Sequence, residues 1–520
     1  MSFTVSSQSK DCRDKQTDFS RERDNPPPFS LTGKVGEFSV LEFMEFQRAL
    51  KERLSDGSRV ISFFGSPSSQ EREVYLNAVV AKEETGALQL IRTRRNRAES
   101  YPSLTLEHPE LQCFEREIYE QYGIRPSDHP WLKPIRFPGS SGGVETYPFY
   151  QLEGKEVHEV GVGPIHAGVI EPGHFRFMCY GEKVHHLEIQ LGYQHRDVEK
   201  LLLGREPWKL TSWIETISGD SSIAHTWAYC TAWENLCGMQ VNWSVRLVRG
   251  IALELERIAM HLAGLAGMAT DIGFLPGGAV YGRLRTTAIN SSMRLCGSRF
   301  GRGWLRPGEV RCVVNAEIID EIHANLKLIE NDIQGINDLF TDSKTVQHRL
   351  KGTGRISRDQ AILMGFVGMA ARSTGIPMDL RRLRGSIYRA FPFNTIVEES
   401  GDCWARALVR IREIDESLHW LLFALEELKT LPATSLGVPP GANLQEAKRN
   451  SFSVALIEGW RGEVVHYLET DSEGRLAHYK VQDPSLRNWF ALALAVRNND
   501  ISDFPICNKS FDLSYCGHDL

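Results

Sequence analysis

The feature that most constrains the fold is a long run of apolar residues spaced three or four positions apart in the middle of the chain. Between Val245 and Met268 this spacing repeats without a break, with Val248, Ile251, Leu255, Ile258, Leu262 and Leu265 on one face. Such a period predicts an amphipathic helix that buries this face in a core. The longest uninterrupted apolar run of the 520 residues has only eleven, which is too few to span a bilayer.

The patterning divides the chain into an α+β N-terminal domain and a mainly α large domain with small β regions. Residues 1–30 are polar and rich in charge and proline, which predicts a disordered arm. Residues 33–138 combine a helical period with two strand-like runs and a further apolar segment, and Gly and Ser dominate the start of a linker over 139–157. Residues 158–520 begin with short strand-like runs, alternate helical periods with Gly-rich breaks and return to β-like runs near the end.

Charge and cysteine content narrow the possible functions. Lys and Arg number 60 against 66 Asp and Glu, a formal net charge of −6 that lacks the basic excess typical of nucleic-acid binding. None of the ten cysteines forms a C-x-x-C pair, so the spacing predicts neither a zinc ribbon nor a ferredoxin-type cluster. We therefore expect a reducing compartment and mostly inert, buried thiols.

A dense charged motif stands in the first domain. The segment Phe114–Gly123 predicts a short helix with Ile118 and Tyr122 on its apolar side and Gly123 at its end, unless its charges form only a solvated face. Together with Asp128–Arg136, this motif resembles the signature of the 30 kDa-type subunit of respiratory complex I. The resemblance implies a docking scaffold without a redox centre of its own.

Five histidines lie between residues 166 and 199 among acidic residues, glycines and prolines, and this clustering favours a functional site over isolated core histidines. The histidines are His166, His174, His185, His186 and His195. The segment resembles the start of complex I 49 kDa-type subunits and of the large subunits of membrane-bound [NiFe] hydrogenases. The resemblance extends over residues 158–520 and includes Gly297–Phe300, Gly352–Gly354, Ala371–Gly375, Gly401–Asp402 and Arg410–Glu413. Fusion of both modules in one chain is typical of formate-hydrogenlyase-type large subunits.

The metal-binding positions of the hydrogenases are the main difference. In that family two C-x-x-C pairs hold nickel and iron, one near each end of the domain. Alignment on the flanking motifs puts Ser218 and Ser221 at the first pair and Ser514 and Gly517 at the second. Hydroxyls are harder ligands than thiolates and stay protonated near neutral pH. The resemblance therefore implies no nickel–iron centre and no metal bound by this chain.

The quinone site of complex I-type subunits is also incomplete. Its tyrosine position is Gly219 here, whereas the segment Glu171–His174 resembles the hydrogenase version, in which a glutamate passes protons. The candidates for proton transfer or for lining a cavity are Glu171, His174, Asp220 and His225, and the candidates for facing a quinone or a partner's cluster are His166, Arg299 and Arg306. We expect a vestigial polar cavity lined by Ser218, Asp220, Ser221, Ser222 and Ser514, whose hydroxyls need partners or water.

Two functions follow from the resemblance. The first is a peripheral subunit of a complex I-like or hydrogenase-4-like oxidoreductase, which transfers electrons or protons beside an iron–sulfur small subunit with a [4Fe-4S] cluster. In that assembly quinone would be the small partner, NAD-linked chemistry would belong to the family, and antiporter-like membrane subunits would hold the chain at the cytoplasmic face. The second is a non-catalytic scaffold that couples subunits. An active [NiFe] hydrogenase is the weaker third interpretation, and because fold alone does not confer function, the resemblance leaves open whether the chain is itself an enzyme.

Overall fold

The computed structural model describes residues 29–37, 39–68, 70–82, 84–136, 146–154, 156–166, 170–383, 385–432, 436–438 and 442–520. Most of the predicted arm and the start of the predicted linker lie outside these residues. Of the arm, Phe29 is buried and Ser30 begins a strand, so these two residues belong to the folded part. At the other end of the linker, Val157 begins the first strand of the region that follows.

A four-stranded sheet with two helices forms the N-terminal domain, as predicted. Its elements are β2 (Val40–Leu41), α1 (Phe43–Ser55), β3 (Ser58–Pro67), β4 (Glu73–Lys82), β5 (Ala87–Asn96), the short pair β6 (Tyr101–Pro102) and β7 (Pro126–Ser127), and α2 (Gln112–Tyr122). The sheet order is β2-β5-β4-β3, antiparallel except for the parallel pair β2 and β5. Phe46, Phe63 and Phe114 are buried between helices and sheet, and α2 ends at Gly123 with φ +74°.

The large domain is mainly helical, which confirms the predicted fold class. Its helices are α3 (Val198–Leu202), α4 (Thr211–Ile214), α5 (Ser222–Leu236), α6 (Trp243–Asp271), α7 (Leu275–Cys296), α8 (Ala316–Asp342), α9 (Lys344–Leu350), α10 (Arg358–Leu363), α11 (Gly368–Arg372), α12 (Cys403–Lys429), α13 (Ser485–Ala495), α14 (Phe504–Phe511) and α15 (Tyr515–Asp519). The predicted helix is α6, which packs against α7 and α12 at the centre of the core. Among the described ranges, no helix is both long and apolar enough to cross a membrane.

Two larger sheets and a short hairpin complete the large domain. One sheet contains β8 (Val157–Val162), β9 (His174–Tyr180) and β10 (Lys183–Gln190), and the hairpin contains β11 (Leu305–Arg306) and β12 (Glu309–Val310). The other sheet has the order β1-β13-β14-β15, with β1 (Ser30–Lys34), β13 (Ser451–Glu458), β14 (Glu463–Thr470) and β15 (Leu476–Gln482). Strand β1 therefore adds to the large domain, although its last two residues fall inside the range predicted for the N-terminal domain.

Buried ion pairs tie the helical core together. Glu254 on α6 lies 3.0 Å from Arg257 and 3.3 Å from Arg381, and accepts a hydrogen bond from the Ser417 hydroxyl of α12. Arg372 at the end of α11 pairs with Glu413 of α12 at 2.8 Å. Leaving one partner of a buried pair uncompensated is costly, so these contacts hold the elements in one arrangement.

The two domains meet through the charged face of α2. Glu117 is buried and forms ion pairs with Arg136 and, at 2.7 Å, with Lys480 on β15 of the large domain. From the other side, Arg487 donates hydrogen bonds to the carbonyls of Val60 at 2.7 Å and Ile61 at 2.5 Å. The charged motif is therefore not a solvated face, because its central carboxylate connects the domains.

Candidate functional site

The positions aligned with the two missing cysteine pairs lie together although they come from opposite ends of the large domain. The Oγ atoms of Ser218 and Ser514 are 2.9 Å apart, and both side chains are buried. Ser218 also donates to Asp220 Oδ1 at 3.0 Å, and the Gly517 amide donates to Ser514 Oγ at 2.9 Å. We call Ser218, Asp220, Ser221, Ser514 and Gly517 the serine cluster.

An arginine that the sequence did not point to fills the space beside the serine cluster. Arg461, in the turn between β13 and β14, donates to both carboxylate oxygens of Asp220 at 2.7 and 2.6 Å and to Ser221 Oγ at 3.3 Å. The ring of Trp460 lies 3.8 Å from the Arg461 guanidinium carbon, and the Trp460 indole donates to the Asp220 carbonyl at 2.8 Å. The expected cavity is therefore occupied at this point by a bidentate ion pair.

The residues present do not fit a nickel–iron centre. The cluster offers hydroxyls and one carboxylate that is already paired with a guanidinium, where soft thiolates are required. A Cβ placed on Gly517 would lie 2.6 Å from Asp483 Oδ2, so a ligating side chain at this position would collide with that carboxylate. Within the part of the chain that the structure describes, no three His, Cys, Asp or Glu side chains are grouped to hold a metal ion.

A buried hydrogen-bonded chain leads away from Asp483. His225 Nε2 lies 3.1 Å from Asp483 Oδ2, His225 Nδ1 lies 3.1 Å from His466 Nε2, and His466 Nδ1 lies 2.8 Å from the Tyr479 hydroxyl. Because a carboxylate only accepts, one arrangement satisfies all three contacts: Tyr479 donates to His466, His466 to His225, and His225 to Asp483. A uniform direction of donors is what a proton relay requires. We call these four residues the histidine chain.

The histidine chain has a neutral histidine towards one end and an ionised carboxylate at the other. Burial lowers the pKa of His466 well below its usual range, and the neighbouring His225 lowers it further, so His466 is neutral. Burial alone would raise the pKa of Asp483, but the hydrogen bond from His225 and the charge of Arg461 outweigh burial and lower it. Asp483 therefore remains an anion beside the serine cluster.

A second buried carboxylate lies beneath the loop that carries Asp220. Glu256 on α6 accepts a hydrogen bond from the Ile223 amide at 2.8 Å, at the start of α5. Burial raises the pKa of Glu256 to about 8, and the negative charge of Asp220 adds to the effect. Burial therefore favours the protonated form of Glu256, a property that the sequence did not indicate.

Glu171 reaches the serine cluster through a thiol. Its carboxylate hydrogen-bonds to Cys516, whose pKa is raised to about 11 by burial and by the charge of Glu171. The Cys516 sulfur lies 3.4 Å from Ser514 Oγ. Glu171, Cys516, Ser514, Ser218 and Asp220 therefore form a series of hydrogen-bonded groups, which we call the glutamate series.

The two candidate histidines of this region support the loop that carries Glu171. His174 Nδ1 donates to the Gly163 carbonyl at 3.0 Å, and His166 Nε2 donates to the Gly173 carbonyl at 2.8 Å. Burial lowers the pKa of His174, which keeps its ring neutral. Both histidines thus bind main chain at either end of the loop, and their contacts position Glu171.

Of the two candidate arginines, Arg299 lies in the loop between α7 and β11, and Arg306 is the last residue of β11. Arg299 is exposed and lies over the ring of Phe300 at 5.6 Å, while the carbonyl of Arg306 accepts a hydrogen bond from Arg249 at 2.9 Å. Ser222 joins this loop to the start of α5 by donating to the Phe300 carbonyl. Neither arginine contacts the serine cluster through a hydrogen bond or ion pair that involves its side chain in the described structure.

Comparison with known proteins defines the class of this fold and site. Residues 39–150 match the family described as the 30 Kd subunit of respiratory-chain NADH dehydrogenase, and residues 271–519 match its 49 Kd subunit family. The chain therefore contains a complex I 30 kDa-type domain and a 49 kDa-type domain fused in one polypeptide, as the motifs predicted.

Within this class the chain is similar to several curated proteins. It is 27% identical over 442 residues to formate hydrogenlyase subunit 5 of Escherichia coli, covering 80% of this chain and 76% of the relative. It is 29% identical to the carbon monoxide-induced hydrogenase of Rhodospirillum rubrum, covering 68% and 97%. One NADH-quinone oxidoreductase subunit of Phocaeicola vulgatus is 25% identical over 475 residues, covering 81% and 89%.

A solved structure shares the fold. A chain of the membrane-bound sulfane sulfur reductase, an archaeal respiratory membrane complex, superposes with a TM-score of 0.66 at 21% identity. The match covers 71% of this chain and all of that chain. Hydrogenases, quinone oxidoreductases and a sulfur reductase thus share this architecture, so the residues of the site must distinguish the function.

Proposed function

We propose that this protein is a peripheral subunit of a membrane-bound, complex I-like or hydrogenase-4-like oxidoreductase, in which it moves protons beside an iron–sulfur small subunit. The relatives named above, subunits of formate hydrogenlyase and NADH-quinone oxidoreductase among them, support the assembly. The partners in this proposal are a small subunit with a [4Fe-4S] cluster, antiporter-like membrane subunits at the cytoplasmic face, and a quinone.

The glutamate series is the observation that carries this proposal. It includes Ser218 and Ser514, which the resemblance aligns with metal-ligand positions, and it contains only groups that hold or pass protons, from Glu171 to Asp220. Hydrogen-bonded hydroxyls, a thiol and carboxylates exchange protons without changing their positions by more than a bond rotation. Asp220 is 36% exposed at one end and Glu171 is half-buried at the other, so both ends reach the edge of the site.

A role in proton transfer makes two requirements of these residues. Glu171 must bind and release a proton, and the loop held by His166 and His174 keeps it beside Cys516. Arg461 must hold Asp220 in place at the end of the series, through hydrogen bonds to both of its carboxylate oxygens. Residues that bind a quinone headgroup would come from the loops around Glu171 and Arg299, which flank the serine cluster.

The test is a comparison of Glu171→Gln with Glu182→Gln in the complex purified from its membrane. Glu182 is an exposed glutamate in the turn between β9 and β10 and serves as the matched control. With reduced methyl viologen as donor and decylubiquinone as acceptor, we expect Glu171→Gln to slow electron transfer at least about tenfold, since positioned acid–base groups contribute this much or more. Metal analysis of the same preparation should find no stoichiometric nickel in this chain, and stoichiometric nickel would overturn the proposal.

A second function, the non-catalytic scaffold, is favoured by the Arg461–Asp220 ion pair. That pair fills the site and stabilises a closed arrangement without any exchangeable ligand. The scaffold predicts that the purified complex binds no decylubiquinone and that Glu171→Gln leaves its activity unchanged. Those two results together would replace the proton-transfer proposal by the scaffold.

A further inference from the structure

Two cysteines that are 104 positions apart in the sequence form a buried pair outside the candidate site. Cys403 is the first residue of α12, and Cys507 lies in the middle of α14. Both sulfurs lie beside Gly354: a Cβ on this glycine would be 2.7 Å from the Cys507 sulfur and 3.2 Å from the Cys403 sulfur. The two thiols are hydrogen-bonded to each other, and neither is part of a disulfide.

The surroundings of Cys403 stabilise a thiolate. Arg406 Nη2 lies 3.4 Å from the Cys403 sulfur, and the sulfur lies at the N-terminus of a 27-residue helix, where the helix dipole favours negative charge. Ser510 Oγ lies 3.5 Å from the same sulfur. Burial alone would raise the pKa of Cys403, but the hydrogen bond from Cys507 and the charge of Arg406 outweigh burial and lower it to about 6.

Cys507 has the opposite character. Its pKa is raised well above the usual range, first by its hydrogen bond to Cys403 and then by burial. Cys403 is thus the member of the pair that ionises more easily, and Cys507 is the member that keeps its proton. This division of roles is typical of a reactive thiol with a resolving partner.

We infer that Cys403 and Cys507 are a redox-active dithiol that a small hydroperoxide oxidises to a disulfide. The Cys403 thiolate attacks one oxygen of hydrogen peroxide, the O–O bond breaks, and the products are a Cys403 sulfenic acid and hydroxide, which takes up a proton. The Cys507 thiol then attacks the Cys403 sulfur, the S–O bond breaks, the S–S bond forms, and water leaves. In total two thiols and one hydrogen peroxide give one disulfide and two waters, with the two electrons passing from sulfur to peroxide oxygen.

The position of the pair links it to the candidate site. A disulfide would join α12 to α14, and the chain runs from α14 directly into Ser514 of the serine cluster. Arg406, which contacts the thiolate, also donates to Ser510 Oγ at 2.8 Å and to the Gly354 carbonyl at 2.8 Å. Oxidation would remove the charge that Arg406 neutralises, at the contact between α12 and α14, the helix that precedes Ser514.

The test is peroxide treatment of the full-length protein, followed by alkylation in denaturant and non-reducing mass spectrometry. We expect a peptide pair joined through Cys403 and Cys507 that dithiothreitol reverses. Cys113 is the internal control, because it is buried without a thiol partner of this kind and burial raises its pKa to about 11. Cys403 should lose its thiol at least about ten times faster than Cys113, since the thiolate is the reactive form.

Variants make the result decisive. In Cys507→Ser, which keeps a hydrogen-bond donor, Cys403 should accumulate as a sulfenic acid that dimedone traps, and no joined peptide should form. In Cys403→Ser, Cys507 should remain reduced. The inference is overturned if the native protein gives no joined peptide while Cys403 and Cys113 oxidise at the same rate, because the pair would then be a packing contact only. Circular dichroism of each variant excludes misfolding as the cause.

Discussion

Replacing Glu117 by Gln removes the buried charge that connects the two domains. In the native protein this carboxylate pairs with Lys480 at 2.7 Å and with Arg136, and all three side chains are almost fully buried. Glutamine keeps the size and one acceptor but leaves two cations without their shared anion. Lys480 retains Glu199 at 2.9 Å, so the loss is partial and not the cost of two isolated charges.

The magnitude follows from the pKa of Glu117. Burial alone would raise this pKa, but the charges of Lys480 and Arg136 outweigh burial and lower it from 4.5 to about 2. A tenfold change in proton affinity is worth about 1.4 kcal/mol, so the ionised carboxylate stabilises the folded state by about 3 kcal/mol. Because the folded pKa is depressed, this stabilisation is complete above pH 4.5 and is lost as the pH falls towards 2, with about half left at pH 3.

The measurement is urea-induced unfolding of the native protein and of Glu117→Gln, followed by tryptophan fluorescence at pH 7 and pH 3. We expect the variant to be less stable by about 3 kcal/mol at pH 7 and by about half as much at pH 3. Glu107→Gln is the control, because Glu107 forms an exposed pair with Lys51 at 2.8 Å, and this change should have no measurable effect. A loss below about 1 kcal/mol at pH 7, or a loss that is the same at both pH values, would refute the reasoning.

Three further predictions use the same unfolding measurement. Glu256→Gln should stabilise the protein more at pH 8 than at pH 5, because burial raises the pKa of Glu256 to about 8 and ionisation of the buried carboxyl disfavours the folded state as the pH rises; an equal effect at both pH values would contradict this. Gly192→Ala should cost more than about 2 kcal/mol, since φ is +101° and the new Cβ would lie 1.9 Å from the Arg136 carbonyl oxygen, whereas Gly57→Ala, with φ +76° and open space, should cost about 1 kcal/mol. Ser514→Ala should cost about 1–2 kcal/mol, since it leaves the Gly517 amide and the Ser218 hydroxyl without this partner, and an unchanged stability would show that water replaces the lost hydroxyl.

Local patterns predicted several elements of the secondary structure. The three-and-four spacing found α6, the strand-like runs found β3, β4, β13 and β14, and Gly123 marked the end of α2. These predictions succeed because periodicity and a φ of +74° depend on residues only a few positions apart. Strand β1 was missed as part of the large domain, because its partner β13 lies more than 400 residues away.

The candidate site was predicted only in part. The sequence placed Ser218, Asp220, Ser221 and Ser514 in one site through the resemblance, and the structure brings them together. Arg299 lies next to Phe300, whose carbonyl contacts Ser222 at the start of α5. The side chains of Arg299 and Arg306 nevertheless form no hydrogen bond or ion pair with the serine cluster in the described structure. Arg461 was missed because a single arginine in a turn between strands has no local signal for what it contacts.

The amino-acid sequence alone determined the class of protein, the two fused modules and the absence of any C-x-x-C pair, because these properties reside in residue identity and short spacing. Only the tertiary structure decided which groups surround Ser218 and Ser514. The Arg461–Asp220 ion pair, the histidine chain and the Cys403–Cys507 pair each join residues that are more than 100 positions apart. Such contacts arise from packing of whole elements, where burial sets the charge state of each group, and no local pattern encodes that outcome.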